Sequence, residues 1–157
     1  MPRRPYKKRL VSPDPLYNSF VVAKLINYVM VDGKKSVAKK IVYSVLERIK
    51  KQGYDPLVTL DEAIKNTAPN YEVRPRRLGG ASYMVPFEVR KQRKLFLSLN
   101  WIIEAAKARP NKQYHTFTDK LLAEIIDASR NLGQAVSKKQ QVEKIAEANK
   151  AFAHLRW

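Results

Sequence analysis

The apolar positions along this chain form a succession of helical stripes, broken once by a segment that alternates. Asp14 and Pro15 have the order of a cap and a first helical residue, and they predict a helix that Gly33 closes. Ser36 then predicts the cap of a second helix, in which Ala38, Val42, Val45, Leu46 and Ile49 recur at helical spacing before Gly53. Asp55 and Pro56 repeat the cap-plus-proline opening, with Leu57, Leu60 and Ile64 on one face as far as Pro69. Leu95, Leu99, Ile102, Ile103 and Ala106 mark a fourth helix stopped by Pro110. Thr118 predicts the cap of a fifth, which buries Leu122, Ile125 and Ile126 and ends at Gly133. Ser137 and Gln140 have capping-box spacing and open a sixth, whose inner face would be Val142, Ile145, Ala146, Phe152 and Ala153.

Between the third and fourth helices the period changes from helical to two. In "EVRPRRLGGASYMVPFEV", residues 72–89, two alternating runs flank Gly79-Gly80, the signal of a two-residue hairpin with positive-φ turn residues. That loop sets Leu78 opposite Ala81, Arg76 opposite Tyr83 and Arg74 opposite Val85. Pro75 and Pro86 cannot donate to a ladder, so neither strand belongs inside a wider sheet. The expected fold is therefore mainly α: a single-domain bundle over residues 1–157, of about six helices. A two-stranded β-hairpin arm, residues 71–90, protrudes between the third and fourth of them.

Charge changes the picture from fold to partner. Of the 157 residues, 31 are Lys or Arg and 14 are Asp or Glu, a formal net charge of +17. Self-repulsion of that size implies a polyanionic partner, nucleic acid or an anionic membrane. The longest apolar run, Phe20 to Val31, is too short to span hydrocarbon and is interrupted by Lys24 and Asn27. No membrane partner is expected, and no apolar region follows the N-terminal basic residues as a secretory signal requires. Residues 1–13 read as an extended basic arm carrying Arg3, Arg4, Lys7, Lys8 and Arg9 among three prolines. On the hairpin and at its exit, Arg74, Arg76, Arg77, Arg90, Lys91, Arg93 and Lys94 are placed for phosphate contacts, and Tyr83 for stacking. The ordinary alternative is a solvated face covering open strand edges, but the preference for the planar fork of Arg favours phosphate. Lys34 and Lys35, at a helix N-terminus, offer a further phosphate site with free backbone donors.

Catalytic chemistry finds no support. Cysteine is absent, and His115 and His154 lack a spaced carboxylate partner. Glu143 and Glu147 share a helical face, but Lys139 and Lys150 lie at pairing distance in sequence, which favours surface ion pairs. "DGKKS" at 32–36 lacks the preceding glycine of a phosphate-binding loop, which would fall at Tyr28. No enzyme activity, metal or cofactor is expected. An RNA-modifying enzyme would need a nucleophile or metal set that is not visible.

The segments "SPDPLY", "DGKKS", "EVRPRRLGGASYMVPFEV" and "AEANKAFAHLRW" together resemble the universal small-subunit ribosomal protein seven family, in its bacterial or organellar form. The resemblance covers nearly the whole chain. It implies a primary binder of the 3′ major domain of small-subunit rRNA, nucleating assembly of the subunit head. It also implies proximity to exit-site tRNA and the mRNA exit path through Gly79, Gly80, Tyr83, Lys150 and Arg156. The neighbours it implies are small-subunit ribosomal proteins nine and eleven, without homo-oligomerisation, in the cytoplasm or an organelle matrix or stroma. Pro75 departs from the family pattern, where a small polar residue is usual, and bears on whether that strand keeps its ladder. The competing expectation is an architectural DNA-binding protein that uses a basic hairpin arm.

Overall fold

The computed structural model of the protein describes residues 11–155. The chain divides into two compact units, 1–42 and 43–157, with the boundary inside the second helix. In the first unit the predicted helix start at Asp14 is corrected. The Asp14 carboxylate accepts the N–H groups of Leu16 at 3.1 Å and Tyr17 at 3.2 Å, so it closes a turn over 15–17. Asn18 then takes a left-handed φ of +45°, which a continuing helix does not admit. Helix α1 runs Phe20–Val29 with Ser19 as its N-cap, ending ahead of Gly33, and it buries Val22, Ala23, Leu25, Ile26 and Val29.

Helix α2 runs Lys35–Lys51, so Ser36 lies inside its first turn and does not precede it. Its predicted stripe is the observed one: Ala38, Val42, Val45, Leu46 and Ile49 are all buried. Arg48, Lys50 and Lys51 occupy the last turn, where cations suit the negative end of the helix dipole.

The second unit continues with α3 (Pro56–Thr67), strands β1 (Tyr71–Leu78) and β2 (Ala81–Glu88), α4 (Lys91–Ala108), α5 (Phe117–Ser129) and α6 (Gln134–Ala148). A 3₁₀ turn follows at Lys150–Leu155. Asp55 caps α3 as predicted, accepting from Leu57 and Val58 N–H with Pro56 in the first turn. Helix α4 packs on α3, α5 and α6, which explains its wide apolar surface: Leu97, Trp101 and Ala105 are buried beside the predicted Leu99, Ile102, Ile103 and Ala106. The fifth helix is capped by Thr116, not Thr118, through a capping box with Asp119. Packing against α3, α4 and α6 buries Leu121, Glu124, Ile125 and Ala128, leaving Leu122 and Ile126 half-buried.

Helix α6 also begins earlier than predicted, with Gly133 as N-cap at φ +92°. Ser137 lies within the helix and donates its hydroxyl to the Gly133 carbonyl at 3.1 Å. The cap comes from elsewhere: Glu124 Oε1 accepts the Ala135 N–H at 3.1 Å. Ala135, Val136 and Ala146 form the buried face, while Ile145, predicted inside, is 51% exposed.

The hairpin has the predicted register throughout, from Tyr71 opposite Glu88 to Leu78 opposite Ala81, and is a two-stranded sheet. Gly79 and Gly80 have φ of +56° and +87°, the pair of positive values a type I′ turn demands. Because the two-residue loop makes Leu78 and Ala81 a hydrogen-bonded pair, alternate pairs beyond it are not bonded. Val89 N–H donating to the Asn70 carbonyl at 3.0 Å keeps that phase at the far end. Pro75 (opposite Met84) and Pro86 (opposite Val73) both fall on the non-bonded pairs. Each proline nitrogen therefore points away from the partner strand, and neither removes a ladder bond.

Candidate nucleic-acid interface

The arm is packed for much of its length and open at its tip. Strand β1 rests on α6 and β2 on the 3₁₀ turn, burying Val85 and Pro86, whereas Arg77 to Ser82 are exposed. Tyr83, placed by sequence for stacking on RNA, sets its ring 5.2 Å from that of Phe152 and so ties the arm to the 3₁₀ turn. At the base, Glu143 Oε1 of α6 accepts the Asn70 N–H at 2.9 Å. Glu143 and Glu147 make no ion pair with Lys139 or Lys150 among the described residues, which corrects the surface pairing expected for them. Glu143 holds backbone instead.

The arm's cations separate into two groups. On one face, the Glu72 carboxylate receives Arg74 Nε at 2.8 Å and a second Arg74 nitrogen, and Arg93 Nε at 3.2 Å. The Arg74 and Arg76 guanidiniums lie 5.4 and 5.6 Å from the centre of the Phe87 ring, and Arg93 lies 5.0 Å from that of Phe96. Lys94 donates to Asn70 Oδ1 at 2.8 Å. Burial pushes the Glu72 carboxyl up, but the hydrogen bonds and charges of Arg74 and Arg93 outweigh it and hold the group below its ordinary value. Arg77, on the opposite face, and Arg90 and Lys91 at the hairpin exit are exposed, with no side-chain partner among the described residues.

In the first unit, Asp32 and Gly33 have φ of +53° and +73° and lead into Lys34 and Lys35. Two of the backbone donors expected to be free there are engaged, Lys34 N–H with the Val31 carbonyl at 3.0 Å and Lys35 N–H with that of Gly33 at 2.8 Å, while those of Ser36 and Val37 have no acceptor among the described residues. The Lys34 and Lys35 side chains are exposed beside them. Lys150 is exposed at the start of the 3₁₀ turn. Arg3, Arg4, Lys7, Lys8, Arg9 and Arg156 lie outside the described residues.

A cleft of about 390 Å³ lies between the arm's base and α6, with Tyr71, Pro86, Glu143, Glu147 and Lys150 in its wall. Two carboxylates, one already holding backbone, and a lysine make no nucleophile–base pair. Among the described residues no cluster of three metal-ligating side chains occurs, and no helix is long and apolar enough to cross a membrane.

Sequence reasoning missed the most buried polar assembly. Arg109, just past α4, donates Nε at 2.8 Å and a terminal nitrogen at 2.6 Å to Glu124 Oε2, and also bonds Asp127. Glu124 is fully buried and keeps its other oxygen on the α6 N-terminus. Desolvation works against the Arg109 charge, but the bonds from Asp127 and Glu124 prevail and raise its pKa further. This assembly braces α4, α5 and α6, and with them the platform on which the arm sits.

A basic, mainly helical protein with a proline-edged hairpin and unpartnered cations at its tip and exit belongs to the polyanion-binding class. Residues 1–150 match the family described as Ribosomal protein S7p/S5e, and the chain belongs to that family. It is a structural component of the ribosome, not an enzyme. Small ribosomal subunit protein uS7 of Caldicellulosiruptor bescii is 55% identical over the full length of both chains. The proteins of the same name from Caldanaerobacter subterraneus and Dictyoglomus thermophilum are 55% and 52% identical, again over the whole of each chain. These relatives are bacterial, and the chain is of the bacterial type.

Proposed function

We infer that this protein binds small-subunit rRNA as a primary binder of the 3′ major domain and nucleates assembly of the subunit head, within the cytoplasmic ribosome. Arg77, Arg90 and Lys91 supply phosphate contacts directly, Arg74, Arg76, Arg93 and Lys94 from their fixed positions, and Lys34 and Lys35 from the basic turn. The basic N-terminal residues Arg3, Arg4, Lys7, Lys8 and Arg9 bind rRNA phosphates as well. The hairpin tip at Gly79 and Gly80, with Tyr83, Lys150 and Arg156, stands near exit-site tRNA and the mRNA path, beside small-subunit ribosomal proteins nine and eleven. Family membership supports the ribosomal setting over an architectural DNA-binding role. The observation that carries the RNA contact is the exposure of Arg77, Arg90 and Lys91 without partners among the described residues, on a chain of net charge +17.

The test compares binding to a 3′-major-domain rRNA fragment and to duplex DNA of equal length across a salt series. Log affinity for the fragment should fall steeply with log salt, since each neutralised phosphate releases counterions. Equal affinity for both at physiological salt would refute the specific reading. Cross-linking from Lys150 and from the hairpin tip in intact ribosomes should capture tRNA or mRNA. Capture of neither would remove the exit-site placement.

A further inference from the structure

One acidic side chain sits in the middle of the arm's arginines. Glu72 shares its strand face with Arg74 and Arg76, lies opposite Phe87, and reaches Arg93 at the start of α4. Its side chain is only 13% exposed, while Arg74 and Arg93 remain 56% and 48% exposed. The carboxylate engages Nε of both guanidiniums and one terminal nitrogen of Arg74, and the guanidinium carbons of Arg74 and Arg93 lie over the Phe87 and Phe96 rings. Each arginine thus keeps terminal N–H donors for another acceptor while its direction is set by a neighbour.

We propose that Glu72 is a positioning and specificity-determining residue of the arm, holding Arg74 and Arg93 at a fixed separation and direction so that a folded RNA backbone is preferred over other polyanions. The inference rests on the RNA-binding reading above and deepens it. Two effects act together. An arginine already held by a carboxylate and a ring loses less side-chain freedom when it meets a phosphate placed at the right point. A phosphate placed wrongly meets the carboxylate, and the like charges repel, so the misfit is penalised while the fit is not. A cluster of arginines without the carboxylate attracts any phosphate and discriminates poorly, because charge alone carries no geometry.

The experiment measures the ratio of affinities for the 3′-major-domain fragment and for duplex DNA, in the full-length protein, for wild type, E72Q and E104Q. Glu104 of α4 pairs with Lys138 of α6 and bonds no arginine of the arm, and its substitution makes the same change of net charge. E72Q is expected to tighten DNA binding while leaving or weakening rRNA binding, lowering the ratio roughly fivefold, the scale of one solvent-screened charge interaction. E104Q should leave the ratio unchanged. E72D, which keeps a carboxylate on that face, should retain most of the ratio. An unchanged ratio in E72Q, an equal fall in E104Q, or an equal fall in E72D would each overturn the proposal. The last would assign the effect to the hairpin's fold. A wild-type protein with no preference for rRNA would overturn the underlying reading, and this one with it.

Discussion

Glu124 Oε1 accepts the N–H of Ala135 at 3.1 Å, so a fully buried carboxylate of α5 caps the first turn of α6. Its other oxygen holds Arg109. One side chain from the middle of α5 therefore joins the C-terminal end of α4 to the N-terminal end of α6, and α6 in turn holds the hairpin base through Glu143.

Replacing Glu124 by Ala leaves Arg109 with Asp127 as its one carboxylate, beside the Tyr114 hydroxyl, and uncaps α6. Because Arg109 keeps that second carboxylate, the loss should be somewhat below that of a fully broken buried pair, about 2–3 kcal/mol. A fall in the urea midpoint at constant slope checks this.

Gly133 turns into α6 at φ +92°, and a Cβ there would stand 2.9 Å from Glu124 Oε1 and 3.3 Å from the Asp127 Cβ. Gly133→Ala should destabilise by about 2 kcal/mol, from the left-handed backbone and the crowding of a carboxylate that is already fixed. Gly53→Ala serves as the comparison, since it shares the positive φ with nothing within 4 Å. A loss in G133A no greater than in G53A would remove the packing part of this account.

Acid should loosen the arm's base. The folded Glu72 carboxyl is held below its ordinary value of 4.5, so the unfolded chain takes up its proton first. The stabilisation is fully present above pH 4.5 and is lost as pH falls through the lower folded value. The difference in stability between wild type and E72Q should therefore shrink on acidification below pH 4.5, as followed by urea unfolding or hydrogen exchange in β1. A difference that grows would reverse the sign argued here.

Charge reversal should sort the cations by position. Arg77→Glu should weaken rRNA binding by about tenfold or more and lower the salt slope by about one, as expected for a lost phosphate contact. Lys150→Glu should weaken it less. Equal effects in a filter-binding series would show that net charge, not placement on the arm, governs affinity.

The sequence disclosed what local chemistry decides and hid what distant partners decide. Ala38 to Ile49 repeat at helical spacing, Asp55 and Pro56 cap within three residues, and Gly79-Gly80 fixes the strand register, so each was legible directly. Asp14 is ambiguous in sequence because its carboxylate serves a turn as readily as a helix, and only the φ of Asn18 separates the two. Thr116 and Thr118 are equivalent in composition, and Asp119 three residues after Thr116 was the available signal for the true cap. The start of α6 was not legible at all, since its acceptor is Glu124, nine residues before the Gly133 N-cap, on another helix. The same holds for the candidate site: the arginines announced a polyanion, but their division by Glu72 depends on a hairpin already closed.

The outward-facing nitrogens of Pro75 and Pro86 bear on the interval between synthesis of the chain and its incorporation into a ribosome. During that interval the arm's outer margins have no RNA beside them. A second copy approaching the β1 margin finds a donor missing at the strand's centre and cannot zip on in a continuous register there, while Pro86 is already buried where the arm packs. A residue that leaves the internal ladder untouched thus disfavours pairing along the arm's open margin until its own partner arrives.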